Sequence, residues 1–136
     1  MKSLGLYKKE KLCSAVAIDA LFGRGGAEFS RLSYPLRVVA RRNDGRRSDA
    51  EIQFLISIPK KRLRHAVDRV LMRRRVREAY RLIHRDYRLG HGQKIDLAFI
   101  YVADKLVPYR DVEQSVKKIL SSLHHHFTKT NDETDK

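Results

Sequence analysis

The chain has 136 residues, 42% of them hydrophobic and 34% charged, and its 30 Lys+Arg against 16 Asp+Glu give a formal net charge of +14. This length accommodates one domain with a real core and excludes two ordinary ones; no stretch approaches the ~18 apolar residues of a membrane span, and a lone Cys13 excludes an internal disulfide framework. A charge so one-sided repels itself unless a polyanion neutralises it, so the composition points to nucleic acid. Eighteen of the basic residues are Arg, whose planar fork suits bidentate phosphate contacts and stacking on bases.

At the N-terminus, Lys8, Lys9, Glu10, Lys11 and Asp19 interrupt the apolar residues before a secretory core can form. Together with the single cysteine, read as a small apolar packing residue, this predicts a cytoplasmic protein. Ser14 is placed to cap a helix over residues 15–22, with Ile18, Leu21 and Phe22 on one side and Gly23, Gly25 and Gly26 at its end. Residues 34–42 alternate as a half-buried strand, with Leu36, Val38 and Ala40 on one face and Arg37, Val39 and Arg41 on the other. After a turn at Asn43-Asp44-Gly45, residues 51–58 form a second strand with Ile52, Phe54, Ile56 and Ile58 on one face, and the two strands are expected to pair.

A basic cluster follows Pro59 and leads into a helix over residues 66–85. On a helical wheel Met72, Val76, Ala79 and Ile83 make an apolar face, and Arg69, Arg73, Arg77 and Arg81 run beside it at every fourth position. In an isolated helix each like-charge pair at that spacing costs roughly 0.2–0.5 kcal/mol. Lys60, Lys61, Arg62 and Arg64 stand at its mouth, so that 12 of the 30 basic residues lie between positions 60 and 88. A solvated face mixes signs to gain pairing; this one does not, and it reads as a helix that tracks phosphates. Past Gly90 and Gly92, residues 95–102 alternate as an inner strand, and Val112, Val116, Ile119, Leu120, Leu123 and Phe127 form the core stripe of a last helix. From Thr128 the chain has no apolar residue and reads as a disordered tail, 128–136, leaving one domain over residues 1–127. The fold class is α+β, in the order helix-strand-strand-helix-strand-helix, with a central mixed sheet of about four strands packed by helices.

No catalytic constellation emerges: Asp96 and Asp104 stand alone, and there is no Cys/His metal arrangement. The contiguous His124, His125 and His126 splay about 100° apart on a helix and cannot converge on one ion. His65 and His84 flank the arginine ladder, where phosphate contact and an ordinary surface role both remain open, as do core and RNA-facing roles for Tyr80 and Tyr87.

Lys60-Lys61, Ala66-Val67, Arg69, Arg73-Arg74 and Arg77-Glu78 fit, without gaps, the pattern KK-x(4)-AV-x-R-N-R-x-K-R-x-x-R-E. In this the chain resembles the bacterial ribonuclease P protein family, with Val70 and Leu71 departing where the pattern has Asn and Arg. Lys9-Glu10-Lys11-Leu12, Leu21-Phe22 and Pro35-Leu36-Arg37-Val38-Val39 extend the resemblance along nearly the whole chain.

The resemblance implies a subunit of an endoribonuclease that removes the 5′ leader of precursor tRNA, with the chemistry carried by an RNA subunit and Mg²⁺ used mainly by that RNA. It also implies a left-handed crossover around the basic helix, against the general rule. Lys60, Lys61, Arg62, Arg64, Arg69, Arg73, Arg74, Arg77 and Arg81 would contact the catalytic RNA. A cleft between the first helix and the sheet, lined by Ile18, Phe22, Arg37 and Arg41, would hold the leader of precursor tRNA. Ala40 and Ile18 stand where the family places aromatics, so leader contacts are expected to lean on Arg37 and Arg41. Phe22 is open between core and stacking roles. No membrane or DNA partner and no protein-held metal are expected. The alternative is a non-catalytic ribosomal or structured-RNA-binding protein.

Overall fold

Residues 29–42 form two strands where the alternation predicted one. In the computed structural model, which describes residues 15–23, 26–43, 51–87 and 93–134, a strand β1 (Phe29–Ser33) precedes β2 (Leu36–Arg42), and the turn between them carries a cis Tyr34-Pro35 bond. β1 pairs antiparallel with β2 from Phe29 opposite Ala40 to Ser33 opposite Leu36. With only Phe29 and Leu32 apolar, β1 has little strand signal of its own and forms because β2 offers it a hydrogen-bonding edge. Cys13 and the Ser14 cap lie outside the described residues.

The remaining elements are α1 (Ala15–Phe22), β3 (Ile52–Ser57), α2 (Ala66–Ile83) with a 3-10 turn (His84–Tyr87), β4 (Ile95–Tyr101) and α3 (Tyr109–Thr134). The expected pairing of the 34–42 and 51–58 strands does not occur. The sheet order is β1-β2-β4-β3, with β4 antiparallel to β2 and parallel to β3. β4 takes the centre because it is buried at six of its seven positions, as a strand covered on both faces must be. A parallel β3-β4 pair needs a crossover, and α2 supplies it.

One face of the sheet, with Leu36, Val38, Ala40, Phe54, Leu97 and Phe99, forms the main core against α2 and α3. Tyr80 belongs to it: its ring lies 4.3 Å from Phe54 and 6.0 Å from Phe99, centroid to centroid. The α3 stripe from Val112 to Phe127 is fully buried there, as its spacing predicts. α3 continues to Thr134, past the expected boundary at Phe127, and Thr128 donates its hydroxyl back to the His124 carbonyl at 2.6 Å. Extending a helix already anchored by packing adds one bond per residue fixed, so a polar sequence suffices. The opposite face carries a smaller cluster, Leu21, Val39 and Ala98 with Ile18, Leu55 and Ile100, which α1 covers.

Candidate RNA-binding surfaces

α2 turns Met72, Val76, Ala79 and Tyr80 inward, and that burial rather than propensity holds a helix so rich in like charge. Its arginines divide into two groups. Arg69 turns back, donating Nη1 to the Leu63 carbonyl at 2.9 Å and the Arg64 carbonyl at 3.0 Å. Arg75 donates Nη1 to the Val107 carbonyl at 2.5 Å, clamping α2 to the segment before α3. Arg81 grips Glu78 through both carboxylate oxygens, Nε lying 3.0 Å from Oε2, and this guanidinium holds the Glu78 carboxyl below its usual range. Arg73, Arg74 and Arg77 have no hydrogen bond or ion pair among the described residues.

The loop before α2 leaves Lys60, Lys61 and Arg64 exposed and Arg62 partly so. A turn in which Arg62 and Leu63 both donate their backbone N–H to the Pro59 carbonyl, at 2.9 and 3.3 Å, fixes this loop, and Leu63 is buried beneath it. The outward face of α2 therefore presents Arg73, Arg74 and Arg77 beyond a cationic mouth. Val70, 46% exposed, lies among them. His84 closes the helix instead of reaching out: its Nδ1 lies 2.9 Å from the Tyr80 carbonyl and its ring stacks on Tyr80. His124 and His126 diverge, one toward Tyr87 and the other onto Phe29.

The second predicted surface is the sheet face under α1. Phe22 is 48% exposed, so its ring is available at the rim, whereas Ile18 is half-buried in the small cluster against the sheet. Arg37 is exposed and Arg41 partly so, both on the Val39 face. Ala40 is corrected: it is fully buried on the other face, in the main core, so its size has no bearing on stacking in the cleft. The alternation of β2 requires this, because residues 39 and 40 must point to opposite sides. Leu32, 65% exposed and opposite Arg37 in the β1-β2 register, belongs to the cleft face instead. Arg41 pairs in register with Asp96, a buried carboxylate that accepts from Asn43 Nδ2 at 2.8 Å. That negative charge tempers the basic character of the face at one end.

The profile of the ribonuclease P family matches residues 6–124. The ribonuclease P protein components of two Porphyromonas gingivalis strains are 39% identical to the chain over 121 residues, covering 87% of it and 85% of each relative. The chain belongs to the ribonuclease P protein family. The solved structure of the Staphylococcus aureus RNase P protein superposes with a TM-score of 0.66 at 16% identity, over 84% of this chain and 94% of that one, and so shares the fold.

As a ribonuclease P protein component, the chain is a subunit of an endoribonuclease, and an RNA subunit is its implied partner. No helix among the described residues is long and apolar enough to cross a membrane. The arginine ladder marked Arg69 and Arg81 as charge-bearing, while the structure engages both within the protein. What sequence reading missed was Leu32, whose strand it did not see, and the 104–107 segment, whose Val107 lies 32 residues from Arg75 and meets it only in the fold.

Proposed function

We propose that the protein docks on the RNA subunit of ribonuclease P through the outer face of α2 and the loop at residues 60–64, and that the sheet face under α1 receives the 5′ leader of precursor tRNA. The observation that carries this reading is the set Arg73, Arg74 and Arg77, which have no hydrogen bond or ion pair among the described residues and follow the exposed Lys60, Lys61 and Arg64 along the chain. Placing RNA phosphates there replaces mutual repulsion with charge-assisted contacts and releases counterions. Arg62 joins them from the loop, Arg69 keeps that loop in place, and Arg81 reaches the RNA with its charge partly balanced by Glu78.

On the other side of the sheet, Phe22 and Leu32 offer apolar surface to unpaired bases while Arg37 and Arg41 attract the backbone. Cleavage at the leader junction is assigned to the RNA subunit. Mg²⁺ is the hard cation suited to phosphate oxygens. As the family resemblance implies, the ion is assigned to RNA-held oxygens, and the protein's part is to bind and orient.

The test mixes the protein with the ribonuclease P RNA of the same organism and a 5′-leader precursor tRNA at low Mg²⁺. Protein-dependent release of a mature 5′ end is expected. No stimulation, with binding to other RNA intact, would return the surface to the structured-RNA-binding proteins without a processing role.

A further inference from the structure

Between the loop that opens α2 and the segment before α3 lies a cavity of about 340 Å³. Its apolar lining comes from Leu63 and Leu106, its cations from Lys61, Arg62, Arg64 and Lys105, and it also holds two carboxylates, Asp68 and Asp104. A surface made only to hold phosphates has no use for those carboxylates, which repel the same ligand. Neither Asp68 nor Asp104 makes an ion pair or side-chain hydrogen bond among the described residues, so they are not spent on neutralising their neighbours.

Both walls are held in place. Arg69 fixes the first by bonding the Leu63 and Arg64 carbonyls, at 2.9 and 3.0 Å. The second is tied by the Tyr101 hydroxyl, which donates to the Lys105 carbonyl, and by Arg75, 2.5 Å from the Val107 carbonyl. Three side chains from α2 and β4 thus set the spacing of two loops, which is what a preorganised site requires.

We infer that this cavity binds a single unpaired guanine nucleotide of the partner RNA, an inference that rests on the RNA-docking reading above. Its volume falls at the small end of the ~300–1,000 Å³ of ligand sites, room for one nucleotide and not a strand. The four cations take the phosphate, and Leu106, 42% exposed, meets a face of the base above the buried Leu63 floor. A carboxylate accepts hydrogen bonds and cannot donate, so it selects the base edge richest in adjacent donors. Guanine presents N1–H and N2–H side by side, adenine and cytosine one amino group each, and uracil a single imino N–H.

The experiment follows leucine methyl and backbone amide resonances of the full-length protein during titration with GMP, UMP and ribose 5-phosphate. GMP should saturate with shifts at Leu63, Leu106 and Lys105, and bind about tenfold tighter than UMP or ribose 5-phosphate, the low end of a bidentate base contact. Asp104→Asn and Asp68→Asn, both at the solvent-accessible wall, should between them erase that preference while leaving ribose 5-phosphate binding in place. Equal affinity for all three probes, or shifts confined to other regions, would overturn the guanine site. Binding of the ribonuclease P RNA, measured on the same samples, keeps the two readings apart: if it persists while GMP shows no preference, only the cavity inference fails.

Discussion

Arg69 donates to the Leu63 carbonyl, 2.9 Å away, so a member of the arginine ladder closes the loop that precedes its own helix. A guanidinium used in this way contributes to folding. Removing a hydrogen bond to a charged group costs about 1.5–3 kcal/mol, and Arg69→Ala should lose stability in that range. Arg77, two turns along the helix, is exposed and has no such bond among the described residues, so Arg77→Ala should stay within about 0.5 kcal/mol. Urea melts of the two variants decide the matter, and equal midpoints would remove the loop-closing role.

The outward arginines make the converse prediction. Replacing Arg73, Arg74 and Arg77 together by Ala should leave the fold intact, or stabilise it by a few tenths of a kcal/mol as like-charge repulsion is relieved. Affinity for the ribonuclease P RNA should fall, and the slope of log K against log salt should flatten by about two units, at ~0.7–0.9 per phosphate contact. An unchanged slope would mean that this face does not meet RNA. Arg75→Ala is the internal control, because its guanidinium is turned to Val107: it should destabilise the protein without altering the slope.

These contrasts mark how far the sequence was legible. The α3 stripe and the buried face of α2 follow from 3.6-residue periodicity, a local property that a helix cannot avoid expressing. β1 did not declare itself, because its evidence is non-local: the ladder with β2, and the Ser115 hydroxyl that reaches the Ser33 carbonyl across 82 residues of sequence. Strand order was misread for a related reason. A polar turn between two alternating segments suggests a hairpin, but the apolar content of β4 claims the central position once all strands compete for burial. The positive charge of α2 was plain. Which arginines are engaged inside the protein was not, since the carbonyl of Val107 is brought to Arg75 from 32 residues away.

On the leader side, Ala40 and the two arginines of β2 separate core from cleft. Ala40→Tyr, which would look like restoring an aromatic to the binding face, should instead overpack the main core and cost about 1–3 kcal/mol, with no gain in precursor binding. Arg37→Ala with Arg41→Ala should weaken precursor tRNA binding and spare mature tRNA. Equal losses on both RNAs would place these arginines outside the leader path.

The wall that Tyr101 supports depends on its hydroxyl remaining protonated. Burial pushes this phenol up to about 12, and burial does the same to Tyr109, also to about 12, with the Glu113 carboxylate adding to it. A phenol whose folded value exceeds its unfolded one contributes stability that is full below about pH 10, the ordinary tyrosine value. That contribution is then lost as pH rises toward 12, because the unfolded chain releases the proton first. Spectrophotometric titration should therefore find Tyr101 and Tyr109 ionising late, toward pH 12. Tyr101→Phe should remove one late transition and weaken the tie to Lys105. If removing Tyr101 by Tyr101→Phe took away a transition near pH 10 and no late one while the protein remained folded, this phenol would not be shielded and the Tyr101 anchor of the second cavity wall would be lost at that pH.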